Sequence, residues 1–258
     1  MRYENPLHLA EAAATTDLLS GGRLELGISR GSPEAALDGQ AQFGYTPEDG
    51  QSWADLAQER GRRFLEAVRG ARLATPDPTS GWSYTSQRMP VEPQSPGLAD
   101  RIWWGCGSTS SAVRAAQDGY HMLSSTLLLQ DDGRPFHVQQ ADQIARYFEA
   151  RAAAGVPGTG RTAVTRSAFV IQDRQDELYF GRERRSRESA GQLDGAAARS
   201  GPTYAGSAEE VAEKLAADTA VQAADWVLFA NPNQLGAEYN ATLFAGWAEV
   251  WRLLGWDA

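Results

Sequence analysis

Residues 101–119 read RIWWGCGSTSSAVRAAQDG, and no other stretch limits the fold of this chain as tightly. An apolar run, Ile102-Trp103-Trp104, breaks at Gly105-Cys106-Gly107-Ser108. It resumes as an alanine-rich helix with Ala112, Val113, Ala115 and Ala116 on one side. That pattern predicts a strand, a tight turn and a helix, with Ser108 as the N-cap. The first turn of a helix leaves N–H groups without partners, and the helix dipole adds positive potential there. With the hydroxyls of Ser108, Ser110 and Ser111, the turn can cradle a phosphate. Taken alone, the same residues read as a plain helix cap that binds nothing, and glycine-rich strand–helix turns of that kind are common.

The rest of the chain repeats the alternation. Asn5-Pro6 opens a helix through LHLAEAAATTDLL, with Leu7, Ala10, Ala14 and Leu18 at helical spacing and Gly21-Gly22 at its end. RLELGISRG alternates as a strand, Leu24, Leu26 and Ile28 on one face and Glu25, Gly27 and Ser29 on the other. Arg30 follows, either a ligand contact or a solvated charge. Residues 32–52 predict a loop. Trp53 to Val68 predict a helix with Trp53, Leu56, Ala57, Phe64 and Val68 inward. Five of the twelve prolines crowd 70–100, an irregular excursion with a short hairpin around 81–89.

A strand is expected at 121–126, a loop through LLLQDDGRPF, a helix at 137–154 and a β-branched strand at 162–171. The charged stretch 172–200 predicts a solvated helix or mobile loop. Ser207-Ala208-Glu209-Glu210 forms a capping box that opens a helix to about 217. A last strand falls at 224–230. A last helix, 239–254, turns Leu243, Trp247, Val250, Trp251 and Leu254 inward. Alternating strands and helices indicate a parallel sheet with helices outside it. Five strands are countable, where a closed barrel of this type has eight in about 250 residues. No repeat or linker divides the chain, so one domain over 1–258 is expected.

Composition excludes several classes. The formal charge of −9 argues against a nucleic-acid partner. The single cysteine, Cys106, rules out an internal disulfide and a multi-cysteine metal site, and suits a reducing cytoplasm. No apolar run approaches the length of a membrane span, and no secretory signal is visible at the N-terminus.

Three segments, SGGRLELGISRG, RIWWGCGSTSSAVRAAQDG and ANPNQLG, resemble the bacterial luciferase-like flavin monooxygenase superfamily. AEAAATTDLLSGG, PFHVQQADQI and YAGSAEEVAEKL extend the resemblance in order along nearly the whole chain. It implies an α/β fold of the (β/α)8 TIM-barrel type. The helix rich in LAEAAATTDLLSGG follows the third strand in the family, so this chain is expected to form an incomplete barrel. The resemblance further implies that Arg30 and the turn residues Gly105, Cys106, Gly107, Ser108 and Ser111 bind the phosphate of FMN. A deazaflavin coenzyme is the alternative. A flavin-dependent oxidoreductase follows, a monooxygenase using reduced FMN and oxygen on a small organic substrate, with a flavin reductase as a partner. A deazaflavin-dependent hydride-transfer enzyme and a shortened, non-catalytic flavin-binding protein or partner subunit are the competing readings. Missing strands leave exposed sheet edges, hence an expected homo-oligomer. No catalytic residue is assignable: His8, His121 and His137 are expected to be structural or exposed.

Overall fold

The structure is a computed structural model that describes residues 1, 3–31, 39–80, 86–193 and 196–256. The chain forms two compact units, Met1–Gly105 and Cys106–Ala258. In the first, helix α1 (Pro6–Leu19) leads into strand β1 (Leu26–Ser29), a short helix α2 (Gly39–Gln42), helix α3 (Trp53–Val68) and strand β2 (Ile102–Gly105). Local chemistry sets these boundaries. Asn5 Oδ1 accepts the N–H groups of Leu7 and His8, and Gly21 and Gly22 take the left-handed conformation just past the end of α1. A Ser52–Asp55 capping box starts α3. Strands β1 and β2 run parallel, Leu26 beside Ile102 and Ser29 beside Gly105.

The packing of α1 departs from the expected stripe. Ala10, Ala13, Ala14 and Asp17 are buried, while Leu18 is 48 % exposed. Asp17 turns the helix, because its carboxylate has an interior partner. Arg101 Nη1 and Nη2 donate to Asp17 Oδ1 and Oδ2 at 2.7 and 2.8 Å. Ser95 Oγ and the Leu24 N–H donate to the same carboxylate at 2.6 and 3.0 Å. Arg101 Nη1 also reaches the carbonyls of Gly22 and Leu24. One pair thus fixes the end of α1, the turn into β1 and the entry to β2.

The expected loop at 32–52 begins outside the described residues, as do 81–85 of the expected hairpin. The hairpin's visible pairing is an antiparallel bridge between Ala74 and Met89, earlier in the chain than predicted.

The second unit contains helix α4 (Thr109–Asp118), strands β3 (His121–Ser124) and β4 (Leu127–Leu128), helix α5 (Phe136–Ala153), strand β5 (Thr162–Val170) and helix α6 (Arg174–Phe180). Strands β6 (Ser189–Leu193), β7 (Ala196–Ser200) and β8 (Thr203–Gly206) follow. Helices α7 (Ala208–Ala216) and α8 (Thr219–Ala223), strand β9 (Trp226–Phe229) and helix α9 (Gly236–Leu254) complete it. Strand β5 is its axis and pairs in parallel with β3, β8 and β9. Arg166 of β5, 1 % exposed at its side chain, forms a bidentate pair with Asp218 at 2.7 and 2.9 Å. Asp218 in turn caps α8 and accepts from Tyr204 of β8.

Two expectations need correcting here. The stretch 172–200, expected as a solvated helix or mobile loop, is largely solvent-exposed and does contain a helix, α6, followed by a 3-10 turn, but its second half forms the β6–β7 hairpin. The segment after β3 contributes β4, which joins that hairpin as a three-stranded antiparallel sheet. Some of the charges in that stretch are paired. Arg199 bridges Asp131 and Glu188, each at 2.8 Å, and Arg184 bridges Glu177 and Glu210. Phe180 anchors α6 by stacking on Phe169, with ring centroids 4.0 Å apart.

All five expected strands are present, as β1, β2, β3, β5 and β9; β1 pairs with β2 in parallel, and β5 pairs in parallel with β3, β8 and β9. Among the described strands β9 pairs with β5 alone. The fold is α/β of the (β/α)8 type, and the barrel is not closed.

Removing one partner of a buried pair strands the other charge, at a typical cost of about 3–5 kcal/mol. Asp17→Asn should therefore lower the unfolding free energy by about 3 kcal/mol, the low end because Arg101 keeps some solvent contact. The Arg101 guanidinium holds the Asp17 carboxyl well below the usual carboxylate range. With the folded value depressed, the contribution is complete above that range and is lost as pH falls through the folded value. Urea unfolding across acid pH should show wild type losing stability more steeply than Asp17→Asn. Parallel pH profiles would refute this.

Candidate functional site

The β1–β2 register puts Ser29 beside Gly105 at the C-terminal ends of both strands, and Arg30 follows directly. Glycine suits position 105, where a Cβ would lie 3.0 Å from Ser29 Cβ, a tight contact. Arg30 is half-buried and forms no ion pair among the described residues.

Beyond Gly105 the backbone enters the turn of the second unit. The Cys106 N–H donates to Leu123 O of β3 at 2.8 Å. Its carbonyl accepts from Gln143 Nε2 at 3.4 Å. The thiol is buried, and burial pushes its pKa up to about 12, with the Ser111 hydroxyl opposing. Cys106 is therefore a protonated packing residue whose N–H is already used. Gly107 accepts the Leu129 N–H at its carbonyl, at 2.6 Å. A Cβ there would meet Leu129 Cδ1 at 3.2 Å, so a larger residue would have to displace that side chain by a few tenths of an ångström.

Ser108 is the N-cap of α4, as the sequence predicts. Its backbone is extended (φ −149°, ψ 161°), and Oγ accepts the Ser111 N–H at 3.3 Å and shares a hydrogen bond with Ser110 Oγ at 3.0 Å. Gln130, which sequence reasoning missed, takes one of the orphan donors. Its Oε1 accepts the Thr109 N–H at 2.8 Å, and its Nε2 donates to Thr109 Oγ1 at 3.0 Å. Among the described residues the N–H groups of Gly107, Ser108 and Ser110 take no partner. These donors, the exposed Ser110 hydroxyl and the dipole of a ten-residue helix form a set that fits a phosphate dianion.

Behind the turn lies a buried polar row that was also missed. Ser124 Oγ donates to Gln143 Oε1 and accepts from Gln140 Nε2, both at 2.8 Å. Together with the Gln143 contact to the Cys106 carbonyl, it fixes the height of the turn against the end of β3. The signal was present in QQADQ, where Gln139, Gln140 and Gln143 share the inward face of an amphipathic helix.

The histidines lie where a structural role puts them. His8 is exposed on α1. His121 starts β3, buried against Arg161. His137 Nδ1 accepts the Thr219 N–H at the start of α8. Among the described residues no cluster of three or more His, Cys, Asp or Glu could hold a metal ion. No helix among them is long and apolar enough to cross a membrane.

The model of the luciferase-like monooxygenase family matches residues 2–226. A comparison with curated protein sequences finds no match. Among solved structures, the monooxygenase RslO1 from Streptomyces bottropensis aligns with a TM-score of 0.60 at 16 % identity, over 96 % of this chain and 74 % of that one. The oxygenating constituent of 3,6-diketocamphane monooxygenase from Pseudomonas putida, in complex with FMN, gives 0.58 at 15 % identity, over 97 % and 75 %. The coenzyme F420-dependent tetrahydromethanopterin reductase from Methanopyrus kandleri gives 0.57 at 14 % identity, over 94 % and 78 %. At these identities the likeness is one of fold.

Cys106 supplies a direct check on the turn. Thiolate is the reactive form, and a buried thiol held neutral is inert. Native protein should resist alkylation by iodoacetamide at mildly alkaline pH and react fully once unfolded in guanidinium. Rapid native labelling would show that the turn opens and that its hydrogen bonds to β3 are not persistent.

Proposed function

This chain belongs to the luciferase-like monooxygenase family, an oxidoreductase family, and from that membership we propose that it is a flavin-dependent monooxygenase acting with reduced FMN and oxygen on a small organic substrate. The observation that carries the cofactor assignment is the donor set at the start of α4: N–H groups of Gly107, Ser108 and Ser110 without protein partners, beside serine hydroxyls. In this proposal the turn from Gly105 to Ser111 seats the FMN phosphate. Gly105 and Cys106 set the backbone path, Gly107 and Ser108 donate, and Ser111 supports the cap and the thiol behind it. Arg30 supplies the cation. The parallel register supports that role, since Arg30 and Gly105 leave the same end of adjacent strands.

When bound, reduced flavin would supply the electrons that activate oxygen. The chain's own part is to hold the phosphate and orient the ring. A flavin reductase is the proposed source of reduced cofactor. A second reading, a deazaflavin-dependent hydride-transfer enzyme, is favoured by the F420-dependent enzyme among the structural neighbours. Both coenzymes present a phosphate, so the same turn serves either.

A hydrogen bond to a charged group contributes about 1.5–3 kcal/mol. Arg30→Ala should weaken FMN by roughly 10- to 150-fold, since each ~1.4 kcal/mol is a factor of ten. Ser108→Ala should cost less, because backbone donors remain. Riboflavin, which lacks the phosphate, should be nearly indifferent to Arg30→Ala. Titrating FMN, riboflavin and F420 against both proteins decides the matter. Equal losses for FMN and riboflavin, or none, would mean that Arg30 is a solvated charge. Tighter binding of F420 than of FMN would select the hydride-transfer reading.

A further inference from the structure

We propose that Gln143 is a positioning residue for the cofactor phosphate: from behind the turn it aims the Gly107 N–H at the anion. That role presupposes the phosphate seat of the proposed function. A peptide group is planar and trans, so its C=O and N–H point in opposite directions. The Cys106 carbonyl and the Gly107 N–H belong to one such group. Gln143 Nε2, on the wholly buried face of α5, donates to that carbonyl at 3.4 Å. The Gly107 N–H is thereby turned away from α5, and Gly107 itself is partly exposed.

The next peptide repeats the device. The Leu129 N–H donates to the Gly107 carbonyl at 2.6 Å, and the Ser108 N–H, on the same group, points the other way. Both adjacent donors that lack a protein partner among the described residues are therefore aimed by a bond to the carbonyl of their own peptide. One of those bonds comes from backbone, and the other comes from a side chain that substitution can change.

Glutamine can act this way only if its amide is held the right way round, since Oε1 in place of Nε2 would repel the Cys106 carbonyl. A buried row fixes that sense from its far end. The Ser125 carbonyl can only accept, so Gln140 presents Nε2 to it, at 2.7 Å. The second N–H of Gln140 goes to Ser124 Oγ at 2.8 Å. The Ser124 proton is then left for Gln143 Oε1, also at 2.8 Å, and Gln143 Nε2 is left for Cys106. Ser124, Gln140 and Gln143 are each 0 % exposed, so water does not compete within the row. Gln140 Oε1 stays buried without a partner among the described residues. Turning that amide over would set its oxygen against the Ser125 carbonyl, so the unpaired acceptor is what the sense of the row costs.

The test uses Gln143→Glu in the full chain, titrated with FMN and with riboflavin at mildly acidic and at alkaline pH. F420 and its phosphate-free deazaflavin core replace that pair if F420 binds more tightly. Protonated, the new side chain keeps both contacts: its carbonyl accepts from Ser124 and its O–H donates to Cys106. Ionised, it has only acceptors and repels the Cys106 carbonyl. Burial raises the pKa of such a carboxyl and brings its ionisation into the interval between the two conditions. The Cys106 thiol, pushed up to about 12, does not titrate there. The readout is the ratio of FMN to riboflavin affinity relative to wild type at the same pH, which cancels the ionisation of the phosphate itself. That relative ratio should stay near wild type in acid and fall roughly tenfold in alkali, since one aimed donor to a charged group is lost. A fall in neither condition, or the same fall in both, overturns the proposal. So does equal weakening of FMN and riboflavin, which marks a packing defect. A wild type that binds the phosphate-bearing coenzyme no tighter than its phosphate-free form removes the phosphate seat, and the proposal with it. A discriminating wild type with an equally discriminating variant overturns the positioning role alone. Should Gln143→Glu not fold, Ser124→Ala, which frees the Gln143 amide to turn, should lower the same ratio severalfold, and an unchanged ratio overturns the proposal.

Discussion

A guanidinium gripping a carboxylate through two parallel hydrogen bonds, nearly out of reach of water, organises each compact unit of this protein. In the first it is Arg101 with Asp17, and in the second Arg166 with Asp218. Burying such a pair is costly, and the attraction offsets that cost only when the remaining donors and acceptors are also satisfied. Both pairs meet the condition. Asp17 takes two further donors and Asp218 takes three, while each guanidinium spends a further N–H on backbone carbonyls. Burial works against the Asp218 carboxylate, yet Arg166 outweighs it and the group stays below its ordinary pKa. Each pair joins elements far apart in sequence, so it selects one arrangement of the chain more than it adds attraction.

The candidate site depends on the same economy of donors. The turn after β2 uses most of its polar groups on the protein itself: Cys106 on β3, Gly107 on Leu129, Thr109 on Gln130. What is left for a ligand is small and directional. A phosphate, whose oxygens accept several N–H groups at once, is the chemistry suited to that remainder. The buried glutamines of α5 hold the turn from behind, which lets the donors stay fixed with no ligand in contact with them.

How much of this could be read from the sequence depends on how local the cause is. Asn5, Ser108 and Ser207 act within their own first turns, and each helix begins where its cap predicts. The five barrel-type strands follow from apolar runs between turn residues. The burial of Asp17 was not legible because its partner is Arg101, 84 positions away. The hairpin at 189–200 was missed for the same reason. Ser, Ala, Gly, Gln and Arg carry little strand signal, and what holds them is Arg199 meeting Asp131 across a long loop. Gln130 sits in a segment that reads as loop, and its capping of α4 depends on the tertiary position of that loop. Arg30 and the turn were legible as types and spacing, while the commitment of the Cys106 N–H to Leu123 needed coordinates.

The close approach of Gly105 to Ser29 carries an evolutionary corollary. The two residues share a single small volume at the ends of neighbouring strands, and 3.0 Å is all that a methyl group at 105 would be given. A side chain added at 105 presses directly on Ser29. Among related chains the pair should covary under a fixed total size, alanine at 105 accompanying glycine at 29. A lineage that enlarges both must spread β1 from β2 and surrender the backbone geometry that leads into the serine-rich turn.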